Sequence, residues 1–321
     1  MDQKTVAALA ERVSPHVSLG NARRETLSLL VLGLLSARTT NLSVLACERN
    51  APASTASTYR RLQRFFQHAE PGADWAAPVV ARLAGLGPGP HRLILDRTNW
   101  KIGRRDVNLL VLAVATRRHR LALMWTVLDR PGNSGAPERI ALIERYLARF
   151  GPGSIGLLLA DREFIGAEWF NWLTRNDIPF AIRMREGSRA IPEEGRSGTL
   201  RNLLVGPGGR RRACLTLASM GADGAPGPVL ALRALKPRGR QAVIVATNRP
   251  DIDALGLYRR RWDIELVFAD AKRRGLNLED TRLTCPRKLD LLMALVAIAL
   301  ASASATATRL CCTNRLRGFM S

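Results

Sequence analysis

Apolar residues recur at helical spacing along the first part of the chain. The run RRETLSLLVLGLLSA at 23–37 is almost wholly apolar after its first turn and predicts a buried helix. The run STYRRLQRFFQHA at 57–69 predicts an amphipathic helix, with Ser54 or Ser57 as its N-cap. The turn-forming run GLGPGP follows. Residues 1–88 are therefore expected to form a helical N-terminal domain.

After this linker the pattern changes to short apolar runs, which predict strands at 92–96, 107–116 and 120–128. A helix is expected through ERIALIERYLARF, then a strand that ends at Ala160, a helix through GAEWFNWLTRN and a strand through IPFAIRM. Three strands followed by alternating helices and strands indicate an α/β domain. Residues 89–182 are expected to form its first part.

Glycine and proline interrupt the segment at 183–242, and its short apolar runs, such as RRACLTLA and GPVLALRAL, predict a β-rich insertion. From Arg183 to Arg240 there are 12 basic and 4 acidic residues, a net charge of +8. This insertion is therefore expected to face a polyanion. Residues 243–285 are expected to complete the α/β domain.

The C-terminal segment at 286–321 is predicted to be a helix followed by an irregular tail. Its apolar stretch, Leu289 to Thr308, is diluted by serine and threonine in its second half, so a buried core helix is a better interpretation than a membrane span. After Ala301 the run SASATATRLCCTNRLRGFMS lacks helical periodicity and looks truncated or frame-altered.

Charge and cysteine content narrow the class of protein. Lys and Arg number 49 against 27 acidic residues, giving a net charge of +22 and a pI near 11.4. A chain this basic is expected to bind a polyanion; nucleic acid is the commonest, although a ribosome or a membrane surface would also fit. The five scattered cysteines have no disulfide or zinc spacing, and the N-terminus lacks the pattern of a secretory signal, so the cytoplasm is the expected compartment.

Two aspartates directly follow apolar runs that predict buried strands. Asp96 follows HRLIL, and Asp161 follows IGLLLA. An acid at the end of a buried strand can face a crevice while its neighbours stay in the core. Each aspartate is followed by an arginine, Arg97 and Arg162, so a salt-bridged structural aspartate is the alternative in both cases.

A third acid lies in the run LYRRRWDIELVFADAKRR. On one helix Tyr258, Arg261, Glu265 and Lys272 would fall within an arc of roughly 60°. Another face of that helix is apolar, formed by Leu257, Ile264, Val267, Phe268 and Ala271. A plain surface ion pair between Arg261 and Glu265 is the alternative.

Three carboxylates that converge on one point repel one another unless divalent cations neutralise them. Mg²⁺ prefers oxygen ligands in octahedral geometry, and two such ions about 4 Å apart can support in-line displacement at phosphorus. Asp96, Asp161 and Glu265 supply that set of ligands. Glu265 follows Asp161 by 104 residues, so the β-rich insertion must separate them in sequence.

Three motifs, DRTNWKIG, LLADREFIG and Y-x2-R-x3-E-x6-K, resemble those of the DDE transposases of bacterial insertion sequences. The resemblance implies an RNase H-like core that binds two Mg²⁺ ions, with Mn²⁺ as a substitute, and Asp96, Asp161 and Glu265 as metal ligands. It also implies that Tyr258, Arg261 and Lys272 hold phosphates and that Trp262 lies against a base or sugar.

The predicted function is a DNA transposase that cleaves element ends and joins them to target DNA as a homodimer in a synaptic complex. The N-terminal helices would then bind the element end, with arginines beside an apolar stripe: Arg60, Arg61 and Arg64. A plain helical bundle with a basic surface is the alternative there. For the whole chain the alternatives are an RNase H-like nuclease that cuts without joining, or a catalytically silent DNA-binding copy.

Overall fold

The computed structural model describes most of the chain, namely residues 3–48, 53–102, 104–116, 119–128, 130–192, 196–204, 210–218, 227–236, 241–272 and 275–317. It contains a helical N-terminal part, a central sheet and a long C-terminal helix.

Five helices precede the sheet: α1 (Gln3–Val13), α2 (Asn21–Ala37), α3 (Leu42–Cys47), α4 (Thr55–His68) and α5 (Ala76–Leu83). The expected helices at 23–37 and 57–69 are confirmed as α2 and α4. Ser54 is the N-cap of α4, because its hydroxyl accepts a hydrogen bond from the backbone N–H of Ser57. Apolar side chains of α2 and α4, such as Leu30 and Phe66, are buried in the core.

The central elements follow the predicted order: β1 (His91–Ile102), β2 (Arg105–Ala115), β3 (Arg120–Leu128), α6 (Ala136–Phe150), β4 (Ile155–Ala160), α7 (Ala167–Arg175) and β5 (Phe180–Arg183). The predicted end of β1 at Asp96 is wrong, because the strand continues to Ile102 in an antiparallel ladder with β2. Its parallel ladder with β4, however, stops at Leu95.

The segment at 183–242 contributes β6 (Arg189–Pro192), β7 (Gly198–Thr199), α8 (Leu200–Leu204), β8 (Arg210–Leu217) and β9 (Val229–Leu235), and β10 (Val243–Thr247) follows it. These strands extend the central sheet rather than form a separate one. In the described residues the sheet has ten strands in the order β3-β2-β1-β4-β5-β10-β9-β8-β6-β7. Strand β4 lies between β1 and β5 and is parallel to both.

The predicted continuous helix over the Tyr–Arg–Glu–Lys residues is wrong. It is divided into α9 (Ala254–Tyr258), a 3₁₀ turn (Arg259–Trp262) and α10 (Asp263–Ala271), and Lys272 is the C-cap. A 3₁₀ turn has about 3.0 residues per turn, so residues on its two sides do not keep the phase of one α-helix.

The last helix, α11 (Pro286–Arg317), contradicts the predicted irregular tail, because it remains helical well beyond Ala301. Among the described residues, one stretch is long and apolar enough to cross a membrane by length and composition: Pro286–Thr306 of α11. Of its most apolar stretch, 61% is buried. Helix α11 packs against α2, α5 and β3, as expected of a core helix. The indole Nε1 of Trp125 in β3 donates to Asp290 Oδ1 at 2.7 Å and fixes the start of α11.

Candidate active site

Asp96 and Asp161 lie side by side on neighbouring parallel strands. Leu95 of β1 and Ala160 of β4 are register partners, and each aspartate is the next residue. Neighbouring strands are about 4.8 Å apart, so the sheet brings these two carboxylates to one place. Asp161 lies directly after β4, as predicted, whereas Asp96 lies within β1 at the point where the β4 ladder ends.

The Asp96 carboxylate is largely buried, with 14% of its side chain exposed. Burial raises its pKa to about 6, against the lowering effects of the Arg97 backbone N–H and the Arg261 charge. The negative charges of Glu163 and Glu265 raise the Asp96 pKa further. Asp96 is therefore an acid whose charged form needs a positive partner.

Arg261 provides that positive charge and connects two of the three predicted acids. Its Nη1 lies 3.1 Å from Asp96 Oδ2, and its Nη2 lies 3.5 Å from Glu265 Oε1. One guanidinium group thus contacts both carboxylates, with a hydrogen bond to Asp96 and an ion pair to Glu265. The Arg261 side chain is 11% exposed and that of Glu265 is 46% exposed, so Arg261 joins a buried acid, Asp96, to an acid at the surface.

Tyr258 makes the matching contact to the remaining acid. Its hydroxyl donates to Asp161 Oδ1 at 3.0 Å. Burial raises the pKa of Tyr258, and the nearby Asp161 charge raises it further, so the phenol stays protonated and acts as a donor. Every one of the three acids therefore contacts Tyr258 or Arg261.

Trp262 and Lys272 occupy different positions. The Trp262 ring is 66% exposed beside the site, and the Arg261 guanidinium lies 5.7 Å from its centroid. Lys272 does not reach the three acids: its Nζ donates to the Asn99 carbonyl at 3.1 Å and lies 3.2 Å from Glu279 Oε1. The structure therefore separates Lys272 from the other signature residues.

The side chain of Arg97 does not pair with Asp96, although its backbone N–H donates to Asp96 Oδ1 at 2.8 Å. Arg97 pairs instead with Glu163, with Nε 3.3 Å from Oε1, and it donates to Asn108 and Asn133. The side chain of Arg97 thus links β1 to the loop that carries Asp161.

A buried residue that the sequence analysis missed also holds that loop. Arg139 of α6 is 4% exposed and donates to the carbonyls of Glu163 and Ile165 and to the hydroxyl of Ser134. An arginine in an amphipathic helix is usually a solvated residue, and no signal in the sequence distinguishes this one. Arg139 and Glu163 therefore belong to the support of the site.

The oxygen donors of the three acids have the chemistry that Mg²⁺ requires. Within the described residues, however, no group of three His, Cys, Asp or Glu side chains is close enough to hold a metal ion. The guanidinium of Arg261 lies between Asp96 and Glu265 and already supplies a positive charge there. The three acids thus fit a divalent cation by their chemistry. In this structure their oxygens contact Arg261 and Tyr258 instead.

The three N-terminal arginines are not equivalent. Arg61 is held within the helical domain, because it pairs with Glu25 at 3.0 Å and donates to Thr26 Oγ1 and the Ala22 carbonyl. Arg61 therefore ties α4 to α2, and its contact with DNA stays a prediction. Arg60 and Arg64 are exposed on the neighbouring face of α4.

The fold and site define an α/β protein with a mixed sheet, two acids on adjacent parallel strands and a third acid on a helix. Residues 87–301 match the family described as the transposase DDE domain, and the chain belongs to that family. No curated protein matches the chain.

Among solved structures, the chain is similar to the crystal structure of an endonuclease V from Bacillus subtilis, at 13% identity. The match covers 78% of this chain and 96% of that one, with a TM-score of 0.28. A similarity this low does not indicate function.

Proposed function

We propose that the protein is a DNA transposase that cleaves the ends of a mobile element and joins them to target DNA. One observation carries this proposal: Asp96, Asp161 and Glu265, far apart in sequence, all contact the same Arg261–Tyr258 pair. Membership of the DDE transposase family makes phosphoryl transfer at this site the best-supported chemistry.

The order of the first five strands supports an RNase H-like core. Strands β3, β2 and β1 form an antiparallel meander, and β4 and β5 then run parallel to β1 with helices α6 and α7 between them. In an open sheet of this kind, a ligand site is expected beyond the carboxyl ends of the parallel strands. Asp161 lies at such an end, and Asp96 is its neighbour on β1.

In this proposal the carboxylates of Asp96, Asp161 and Glu265 hold Mg²⁺, or Mn²⁺ in its place. Bound there, the cations would stabilise negative charge at phosphorus and lower the pKa of the attacking oxygen. Arg261 and Tyr258 would donate hydrogen bonds to phosphate oxygens of the cleaved strand, and Lys272 would bind a phosphate further along it. The exposed ring of Trp262 would lie against a base or sugar.

The experiment that tests the function uses a duplex carrying the inverted repeats beside the gene, a supercoiled target plasmid and Mg²⁺. We expect covalently joined product. Cleavage without joining would favour the nuclease, and the absence of any Mg²⁺-dependent product would favour a silent DNA-binding copy.

We further propose that the active form is a homodimer that holds two element ends together in the cytoplasm.

We also propose that α4 recognises the element end. Its outward face has a stripe at helical spacing, made of Arg60, Gln63, Arg64 and Gln67, and all four are exposed. Arginine and glutamine are the side chains that read guanine and adenine edges in the major groove. The stripe itself lines a hollow of about 580 Å³, and Gln63 and Gln67 also line an adjoining hollow of about 420 Å³, so the stripe is open to an approaching duplex.

Two basic residues from the other end of the chain line the smaller hollow, Arg282 and Lys288. Their position beside the base-reading stripe fits contacts to phosphates, which position the duplex without reading its sequence. The DNA-binding surface would therefore combine α4 with the segment that leads into α11.

Selection from a pool of random duplexes, with full-length protein and without metal ions, tests this surface. Arg64→Ala or Gln63→Ala should relax the preference for one or two base pairs and weaken binding about tenfold. Lys288→Ala should weaken binding to every duplex alike and reduce its salt dependence. As a control, Arg61→Lys should leave the selected sequence unchanged. An unchanged sequence with Arg64→Ala would remove α4 from the interface.

A further inference from the structure

At the candidate active site, Arg261 and Tyr258 bind the three acids, although the proposed function needs them to bind DNA. The proposed function needs Arg261 and Tyr258 to hold DNA phosphates. In the structure Arg261 instead binds Asp96 and Glu265, and Tyr258 donates its hydroxyl hydrogen to Asp161. The single O–H of Tyr258 cannot donate to Asp161 and to a phosphate at once, and a phosphate bound by Arg261 would compete with Asp96 and Glu265 for the same positive charge.

The same contacts oppose the binding of a divalent cation. A guanidinium between Asp96 and Glu265 is a fixed positive charge, and like charges a few ångströms apart in a poorly solvated site repel strongly. The Arg261 side chain is 11% exposed, so little solvent screens this repulsion. The Tyr258 hydroxyl meanwhile occupies one acceptor site on Asp161.

The local backbone allows the contact to change. Arg261 lies in the 3₁₀ turn that separates α9 from α10, and a short 3₁₀ stretch within a helical segment often marks a hinge. On its outer side the Trp262 ring is exposed, and nearly half of the Glu265 side chain is open to solvent. A phosphate that approaches from this side would meet Arg261 without crossing the core.

We propose that Arg261 and Tyr258 form a latch that keeps divalent cations out of the site until a DNA phosphate draws both side chains away. The proposal rests on the proposed function and concerns the order of events at that site. DNA and cation then bind cooperatively, because each favours the open latch, and the coupling must be equal in both directions. Without DNA, Asp96 and Glu265 would stay paired with Arg261 and Asp161 with the Tyr258 hydroxyl, so the protein alone would bind divalent cations weakly.

Titration of Mn²⁺ into the full-length, metal-free protein, followed by the electron paramagnetic resonance of free Mn²⁺, tests the latch without any measurement of activity. Without DNA, Arg261→Gln should bind Mn²⁺ about tenfold or more tightly than the wild type, because it removes a unit positive charge from between two carboxylates. Tyr258→Phe removes one hydroxyl, preserves shape and should tighten Mn²⁺ binding severalfold.

The matched control is Arg260→Gln. Arg260 is the neighbour of Arg261 in the same 3₁₀ turn, but it is more exposed and faces Asp263 at 3.9 Å rather than the three acids. Its replacement should leave Mn²⁺ affinity unchanged. Circular dichroism should verify that each variant is folded, and Tyr258→Phe keeps the test valid if Arg261→Gln is destabilised.

A second arm repeats the titration with a short blunt duplex. The duplex should tighten Mn²⁺ binding to the wild type but not to Arg261→Gln. If Arg261→Gln and Tyr258→Phe both bound Mn²⁺ no more tightly than the wild type without DNA, the latch proposal would be overturned. The proposed function would survive that outcome if Mn²⁺ still bound with the duplex and Asp96→Asn abolished the binding. Failure of Mn²⁺ to bind under any condition would overturn both.

Discussion

Asp96→Asn, Asp161→Asn and Glu265→Gln should each reduce cleavage of an element end by at least about 10³-fold, equivalent to about 4 kcal/mol of transition-state stabilisation. Each change keeps the size of the side chain and removes only the negative charge that would hold a divalent cation. The measurement is the rate of strand cleavage of a labelled duplex in Mg²⁺, with protein in excess.

The same variants should still bind DNA, because the three acids make no favourable contact with phosphates. Asp106→Asn serves as the control: Asp106 is an exposed acid on β2, and its replacement should leave the cleavage rate within a factor of about two. Full cleavage activity in any one of the three acid variants would remove that residue from the site.

Arg139→Met should destabilise the protein by about 3 kcal/mol, because it leaves buried backbone carbonyls without a donor. Burial lowers the pKa of Arg139 to about 10, which still leaves it charged at neutral pH. Its guanidinium donates to the carbonyls of Glu163 and Ile165 and lies over the Phe164 ring at 5.1 Å. Urea denaturation followed by tryptophan fluorescence measures the loss.

Arg149→Met provides the comparison on the same helix. Arg149 is exposed and donates to the Ala73 carbonyl at 3.1 Å, so its loss should cost less than about 0.5 kcal/mol. Arg139→Met should also slow cleavage, because the loop that it fixes begins at Asp161. Equal stability of the two variants would mean that the loop can satisfy its carbonyls without Arg139.

Strands β2, β3, β4 and β5 could be predicted because each is a mostly apolar run that is largely buried. The β4 run ended at the right residue because nothing prolongs that strand past Asp161. The end of β1 was predicted wrongly for the opposite reason: its second half is polar on one face and is held by β2 alone. This second half is one arm of the β1–β2 hairpin, whose register runs to the pair Ile102 and Arg105.

The residues that contact the three acids were harder to predict from the sequence than the strands were. Arg97 is next to Asp96 in sequence, but its side chain pairs with Glu163, while Arg261, 165 positions away, binds Asp96. A strand sends consecutive side chains to opposite faces, so the chain neighbour is a poor candidate for contact. The 3₁₀ turn could not be predicted either, because its residues suit an α-helix equally well.

The packing of helix α11 bears on the distance along the DNA between the bound sequence and the cleaved bond. The helix packs against α2, α4 and α5 and also against β3 and α10. The proposed DNA-binding stripe on α4 and the three acids are therefore joined through one packed core. The number of base pairs between the bound sequence and the cleaved bond would therefore be constant.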